Sequence, residues 1–289
     1  MMDPIARIRA LPIWTGPVTV RPLSGGLSNA NFVAEDGARR LVIRLGEDLP
    51  FHHVFRDREV ASSRAAHAAG LSPAVIHAEP GLTAFAHLEA RTFSAEDVRA
   101  DRERVVDLVK RCHRRVADHL TGPAPFFWVF HVIRDYAATL AADGVDGLAG
   151  YLAIAHRLEA AQVPLPLVFG HHDLLPANVM DDGDRLWLVD WEYGGFGTPL
   201  FDLANLAGNA EFTRPEELAL LEAYFEAPPA PPLIRAFDAM KAASLLREAM
   251  WSMVSERRLN APGVDYPAYT ALNLERFQAA LAALEDPQS

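Results

Sequence analysis

Cysteine and lysine are almost absent from this chain of 289 residues. The single cysteine, Cys112, has no partner for an internal disulfide, and His113 beside it lacks the further Cys or His ligands of a zinc site. No stretch reaches about 18 uncharged apolar residues, the length of a membrane-spanning helix. The first residues also lack the apolar segment of a signal peptide. We therefore expect a cytoplasmic protein without membrane insertion.

Lys110 and Lys241 are the only lysines, and the 38 acidic residues outnumber the 27 basic ones, which gives a net charge of −11. Nucleic acid and anionic lipid both require a surface that neutralises phosphates, so this balance argues against either as a partner. Any phosphate site must be local. Half of the residues are hydrophobic, which predicts a folded protein with a core large enough for one or two domains.

Two patterns divide the chain. Residues 1–88 show short apolar alternations separated by turn signals, with one helix predicted over Arg56–Ala69 and ended by Gly70. Residues 89–289 read as mainly helical, beginning with Ser94 and Asp97 as a capping pair and a helical run over 95–120. The prediction is an α+β fold in two lobes, 1–88 with a small antiparallel sheet and 89–289 with helices.

The strongest chemical signal is the segment HHDLLPANVM, residues 171–180, followed by Asp190 at the end of an apolar run. An Asp separated by four residues from an Asn is the spacing of a kinase catalytic loop, and a later Asp matches a second metal ligand. Phosphoryl transfer needs a group that orients the attacking hydroxyl and oxygen ligands for Mg²⁺. Two apolar runs, 168–170 and 186–189, are expected to form the two strands of a hairpin that carries these groups.

Other interpretations stay open at this point. Each of Asp173, Asn178 and Asp190 taken alone is more often a turn or capping residue, although all three together are less easily accidental. A metal-dependent hydrolase could use His171, His172, Asp173 and Asp190 as ligands, in which case it would bind a transition metal without ATP. A third possibility is a kinase-shaped binding protein without turnover.

Four segments of the sequence resemble the aminoglycoside phosphotransferase and choline kinase superfamily, in particular its bacterial choline and ethanolamine kinase-like proteins. They are LSGGLSNANF, HHDLLPANVM, LWLVDWEYGGFGTPLFDLANLA and LREAMWSMVSE. The resemblance implies a protein-kinase-like fold and a kinase that uses ATP and Mg²⁺. It implies that Asp173 is the catalytic base, that Asn178 and Asp190 bind Mg²⁺, and that His171 orders the catalytic loop.

The resemblance also implies a nucleotide site. Arg44 stands where a phosphate-binding lysine is expected, and Glu59 on the following helix is its partner. The remaining nucleotide-binding residues are expected in a phosphate loop and at a hinge that meets adenine: Ser24, Gly25, Gly26, Ser28 and Asn29 in the loop, and Phe85 and His87 at the hinge.

The resemblance implies an acceptor pocket in the region of Glu248 and Trp251, where a carboxylate and an aromatic face would suit an ammonium group. The expected acceptor is the hydroxyl of a small cationic amino alcohol, choline or ethanolamine, with an aminoglycoside, thiamine or a sugar as alternatives. The resemblance implies that Asp202 braces the catalytic loop, and Glu192 is expected to steady the metal-binding segment. His172 departs from the superfamily pattern, and the sequence gives it no role.

Overall fold

A computed structural model describes residues 3–23, 29–37, 39–259 and 263–285. Its N-terminal part is built on a five-stranded antiparallel sheet with strand order β1-β2-β3-β5-β4. The bounds are β1 (Thr19–Leu23), β2 (Ala30–Glu35), β3 (Arg40–Leu45), β4 (Val75–Glu79) and β5 (Leu82–Ala86). These strands confirm the antiparallel sheet predicted for the start of the chain.

Alternation along β3 gives the sheet two different faces. Leu41 and Ile43 point into a small core. Ile8 of the first helix, α1 (Pro4–Arg9), belongs to the same core. Because successive side chains of a strand point to opposite faces, Val42 and Arg44 lie on the other side of the sheet, where they line a cavity.

Helix α2 (Arg56–Ala68) connects β3 to β4 and ends, as predicted, just before Gly70. Gly70 has φ of +76°, a backbone conformation that glycine adopts at little cost. Buried residues of α2 such as Ala65 and Ala66 belong to the larger core of the chain rather than to the small core under the sheet. The helix therefore packs on the helical part while it carries Glu59 towards β3.

The rest of the chain is mainly helical. Ser94 forms a capping box with Asp97, as the sequence predicts. The single helical run expected over 95–120 is wrong, because Asp101 separates two helices and a short 3-10 helix (Val116–His119) ends the segment. The helices are α3 (Ala95–Ala100), α4 (Arg102–Arg115), α5 (Val129–Ala142), α6 (Leu148–Ala160), α7 (Pro199–Asn209), α8 (Arg214–Phe225), α9 (Pro231–Arg258) and α10 (Tyr266–Glu285).

Five short strands hold the central loops: β6 (Arg91–Thr92), β7 (Val168–Gly170), β8 (Val179–Asp181), β9 (Leu186–Leu188) and β10 (Gly195–Gly197). The hairpin predicted between the runs at 168–170 and 186–189 is wrong, since β7 pairs with β10 and β9 pairs with β8. The reason is a tight turn between β8 and β9, in which Asp182 Oδ1 accepts from the N–H groups of Asp184 and Arg185.

The long helix α9 lies at the centre of the helical part, with buried side chains from Ala236 to Ser255. None of the helices in the described part of the chain combines the length and apolarity needed to cross a membrane. The structure confirms the α+β class. The expected boundary after residue 88 falls between β5 and β6, and the division into two domains stays a prediction.

Candidate active site

The segment between β7 and β8 carries the predicted catalytic loop. Asn178 lies in a 3-10 turn (Pro176–Asn178) and folds back on Asp173. Its Nδ2 donates to the backbone oxygen of Asp173 at 2.9 Å and to Asp173 Oδ2 at 3.3 Å. The amide oxygen of Asn178 therefore faces away from Asp173, and the two predicted functional groups are held in one fixed arrangement.

The two histidines before Asp173 are buried and hold the loop from behind. His171 donates from Nε2 to the carbonyl oxygen of Val189 at 2.9 Å. His172 donates from Nδ1 to the carbonyl oxygen of Tyr193 at 3.1 Å, and its ring stacks on Phe127 at 4.4 Å. Burial lowers the pKa of both rings, that of His172 to about 4. The structure thus gives His172 a packing position that the sequence could not assign.

Asp202, near the start of α7, reaches the same loop. Its carboxylate accepts from the backbone N–H of His171 at 2.8 Å and from that of His172 at 2.7 Å. His113 Nε2 lies 2.8 Å from the same carboxylate, and His113 Nδ1 contacts the hydroxyl of Tyr224. Burial opposes ionisation of Asp202, but these hydrogen bonds and the nearby histidines lower its pKa below the ordinary range.

Asp190 follows β9 with φ of +69°, and its carboxylate meets the sheet of the N-terminal part. Arg44 Nη1 donates to Asp190 Oδ1 at 2.6 Å and to Glu59 Oε1 at 2.5 Å. Burial opposes ionisation of Asp190, yet the charge and hydrogen bond of Arg44 lower its pKa. Arg44 therefore lies between the residue expected as its partner and the residue expected as a metal ligand.

A second arginine extends this network. Arg56 Nη1 donates to Glu59 Oε2 at 2.6 Å and to Glu192 Oε2 at 3.0 Å. Burial, together with the charges of Asp190 and Glu59, raises the pKa of Glu192 to about 7. Sequence reasoning missed Arg56, although its position three residues before Glu59 places both on one face of α2.

A cavity of about 460 Å³ opens between the sheet and the catalytic loop. It brings together five of the predicted site residues, which are Arg44, Phe85, His87, Asn178 and Asp190. Asn29 lies against Gly46 at the end of β3. The predicted loop residues Ser24, Gly25, Gly26 and Ser28 lie outside the described residues.

The predicted acceptor residues lie on α9. Glu248 accepts from Arg247 Nη1 at 2.8 Å and from the hydroxyl of Tyr269 at 2.9 Å. Trp251 is 8% exposed, and one face of its ring stacks on His52 at 5.1 Å. His52 comes from the connection between β3 and α2. Sequence reasoning did not find His52 as a neighbour of this region.

Comparison with known proteins identifies the family of the chain, because the model of the phosphotransferase enzyme family matches residues 19–242. The chain belongs to that phosphotransferase family. It is 27% identical over 209 residues to protein LicA of Haemophilus influenzae, an alignment that covers 69% of the chain and 61% of LicA. The phosphotransferase thus spans less than two thirds of that relative's length.

Solved structures share the fold of this phosphotransferase. A choline/ethanolamine kinase family protein from Mesorhizobium loti superposes with a TM-score of 0.77 at 29% identity, over 98% of this chain and 94% of that one. Choline kinase LicA from Streptococcus pneumoniae gives a TM-score of 0.74 at 22% identity, over 92% and 94% of the two chains. The predicted superfamily and its protein-kinase-like, two-lobed α+β fold are confirmed, and so is membership of an enzyme family.

The oxygen donors of the phosphotransferase fit Mg²⁺ better than a transition metal. In the described ranges, no three His, Cys, Asp or Glu side chains converge as a group that could hold a metal ion. Mg²⁺ needs no such group, because one or two protein oxygens and substrate phosphates suffice for it. Asn178 and Asp190 supply two oxygen donors on the wall of one cavity.

Proposed function

We propose that the chain is an ATP- and Mg²⁺-dependent kinase that phosphorylates the hydroxyl group of a small cationic amino alcohol, choline or ethanolamine. The observation that carries the proposal is the cavity whose wall combines Arg44 of the sheet with Asn178 and Asp190 of the catalytic segment. A basic fork and two oxygen donors around one space suit a nucleotide triphosphate and its metal ion.

Asp173 would act as the base for the acceptor. As its carboxylate takes the hydroxyl proton, the acceptor oxygen bonds to the γ-phosphorus of ATP, and the bond from that phosphorus to the β–γ bridging oxygen breaks, which releases ADP. Mg²⁺ held by Asn178 and Asp190 would neutralise charge on the phosphates. Burial raises the pKa of Asp173, and the positive charge of Arg247 opposes that rise. Asp202 holds the backbone N–H groups of His171 and His172 before Asp173, and the ring of His171 binds the backbone oxygen of Val189 before Asp190.

Nucleotide binding is proposed for the opposite wall of the cavity. Arg44 would contact phosphate oxygens while Glu59 fixes its guanidinium, and Phe85 and His87 would border adenine at the hinge. The proposed phosphate loop contains Ser24, Gly25, Gly26, Ser28 and Asn29. Glu192 would steady the metal-binding segment through its ion pair with Arg56.

The amino-alcohol acceptor is supported by the carboxylate of Glu248 and by the names of the relatives, which include a choline kinase and a choline/ethanolamine kinase family protein. A binding role for Trp251 stays a prediction, since His52 covers one face of its ring. The cytoplasmic location and the absence of a nucleic-acid partner also stay predictions.

The test is ADP release from Mg-ATP with a panel of acceptors that includes choline, ethanolamine, thiamine and kanamycin. We expect turnover with choline or ethanolamine at a kcat/KM at least tenfold above the other acceptors. Preference for kanamycin or thiamine would move the chain to another kinase class. No phosphorylated product with any hydroxyl compound would refute kinase activity.

A further inference from the structure

Arg247 of α9 is buried, with 2% of its surface exposed. Its Nη1 donates to Glu248, and its guanidinium carbon lies 4.4 Å from the centre of the Tyr193 ring. Nε and Nη2 have no hydrogen-bond partner among the residues that the structure describes. Leaving buried N–H groups of a cation unpaired is costly, so these two nitrogens need a partner that the described residues do not supply.

The face of α9 that bears Arg247 looks onto the catalytic loop. Ser244, one helical turn earlier, accepts from Asn205 Nδ2 at 3.1 Å, and Asn205 Oδ1 accepts from the backbone N–H of Leu174 at 2.7 Å. Residues three apart on a helix share a face, so Arg247 is directed to the same side as Ser244. Leu174 directly follows Asp173 in the chain.

The contact with Tyr193 leads to the other neighbour of Asp173. The backbone oxygen of Tyr193 accepts from His172, which precedes Asp173. Neighbours of Arg247 thus contact both residues beside Asp173, since Tyr193 binds His172 and Ser244 is linked to Leu174 through Asn205. Asp173 and Glu248 are partly exposed, so a ligand would approach Arg247 from the side of these two carboxylates.

We propose that Arg247 is a catalytic residue whose unpaired nitrogens bind an oxygen of the phosphoryl group as it passes to the acceptor and in the phosphorylated product. The proposal rests on the proposed function. In that reaction the acceptor oxygen gains a bond to phosphorus, ADP leaves with the electrons of the broken bond, and the hydroxyl proton goes to Asp173. The new phosphate ester therefore forms beside Asp173, next to the region that Arg247 faces.

Charge supports the phosphoryl group as the occupant. Arg247 and Glu248 are adjacent and of opposite sign, and the Glu248 side chain is 17% exposed. A phosphorylated amino alcohol has an oxyanion and an ammonium separated by two carbons. It could therefore place its phosphate at Arg247 and its ammonium at Glu248. A guanidinium suits the first of these because its fork matches phosphate oxygens.

The experiment is calorimetric titration with phosphoethanolamine, ethanolamine and L-serine, applied to the wild type, Arg247→Met and Arg247→Lys. Arg258→Met is the matched control, since Arg258 lies on the same helix and pairs with Asp143 at the surface. We expect Arg247→Met to weaken phosphoethanolamine binding about tenfold to hundredfold, the effect of losing hydrogen bonds to a charged group. Ethanolamine affinity should change less than about threefold, and Arg247→Lys should recover part of the loss.

Three outcomes overturn the proposal. The first is an unchanged affinity for phosphoethanolamine in folded Arg247→Met. The second is wild-type binding of phosphoethanolamine that is no tighter than that of ethanolamine. The third is a loss of affinity confined to L-serine, which would assign the guanidinium to a carboxylate of the acceptor. Melting curves identify a misfolded variant, and Arg247→Lys, which keeps the charge, then decides the question. ATP turnover is measured separately. Turnover with unchanged phosphoethanolamine affinity in Arg247→Met refutes the role of Arg247 alone, whereas absence of turnover in the wild type refutes the proposed function and this role with it.

Discussion

Replacement of Asp202 by alanine should destabilise the protein and disorder its catalytic loop. The carboxylate is 1% exposed and accepts from two backbone N–H groups, those of His171 and His172, and from the ring of His113. Removing one partner from a buried charged network typically costs about 3–5 kcal/mol, because the donors left behind stay unsatisfied. That loss is a large part of a total stability of roughly 5–15 kcal/mol.

The assay is urea unfolding of Asp202→Ala and Asp202→Asn, monitored by tryptophan fluorescence. ADP release is measured on the folded variants. Asp202→Asn should lose less, since its amide keeps one acceptor oxygen. Asp238→Ala is the control, because Asp238 forms an ion pair with the partly exposed Arg214 and should cost less than about 1 kcal/mol. A loss for Asp202→Ala no larger than that of the control would refute the reasoning.

The pH dependence of this effect has a definite sign. Because the pKa of Asp202 is lowered in the folded protein, its contribution is present above the ordinary carboxyl pKa and is lost as the pH falls through the lowered value. The difference in unfolding free energy between the wild type and Asp202→Asn should therefore be full at neutral pH and shrink only below about pH 4. A difference that shrinks between pH 8 and pH 6 would point to a titrating histidine instead.

Three further predictions concern activity. Asp173→Ala should lower kcat about 10²–10⁴-fold, the range for loss of a general base. Its ATP affinity, measured by calorimetry, should stay within about threefold of the wild type, and a normal kcat would contradict the assignment. Arg44→Ala should raise the KM for ATP in steady-state assays. Arg44→Lys should recover only part of the lost ATP affinity, because an ammonium lacks the paired donors of the guanidinium. Full rescue by lysine would show that charge alone matters. Glu248→Gln should raise the KM for choline about threefold to tenfold but not that for 3,3-dimethyl-1-butanol, its uncharged counterpart, and an equal rise for both would exclude an ammonium contact.

The elements that could be predicted from sequence are those with local causes. The capping pair Ser94 and Asp97, the glycine stop at Gly70 and the alternation along β3 each depend on residues only a few positions apart. The spacing of Asp173 and Asn178 is local in the same sense, since one short loop joins them. These signals were sufficient for the α+β class and for the spacing that singled out Asp173 and Asn178, while the kinase-like fold followed from the resemblance and the roles of the site residues stay predictions.

The remaining features depend on residues that are distant in sequence. Apolar runs mark β7 and β9 as strands, but periodicity does not say which strand pairs with which, and β7 took β10 as its partner. The stacking of His52 on Trp251 joins residues almost two hundred positions apart. Arg56 was overlooked for a different reason, because an arginine on a helix is usually solvated and only the fold shows that it is buried against two carboxylates.

The connection from β3 to α2 has a consequence for how two ligands would influence each other. One continuous stretch of backbone places Arg44 at the cavity, His52 against Trp251 and Glu59 between the two arginines. A ligand that shifts this stretch at one end changes the free energy of binding at the other, and such coupling is reciprocal by thermodynamic necessity. The factor by which ATP alters acceptor affinity must therefore equal the factor by which the acceptor alters ATP affinity, and substitutions at His52 should change both factors together.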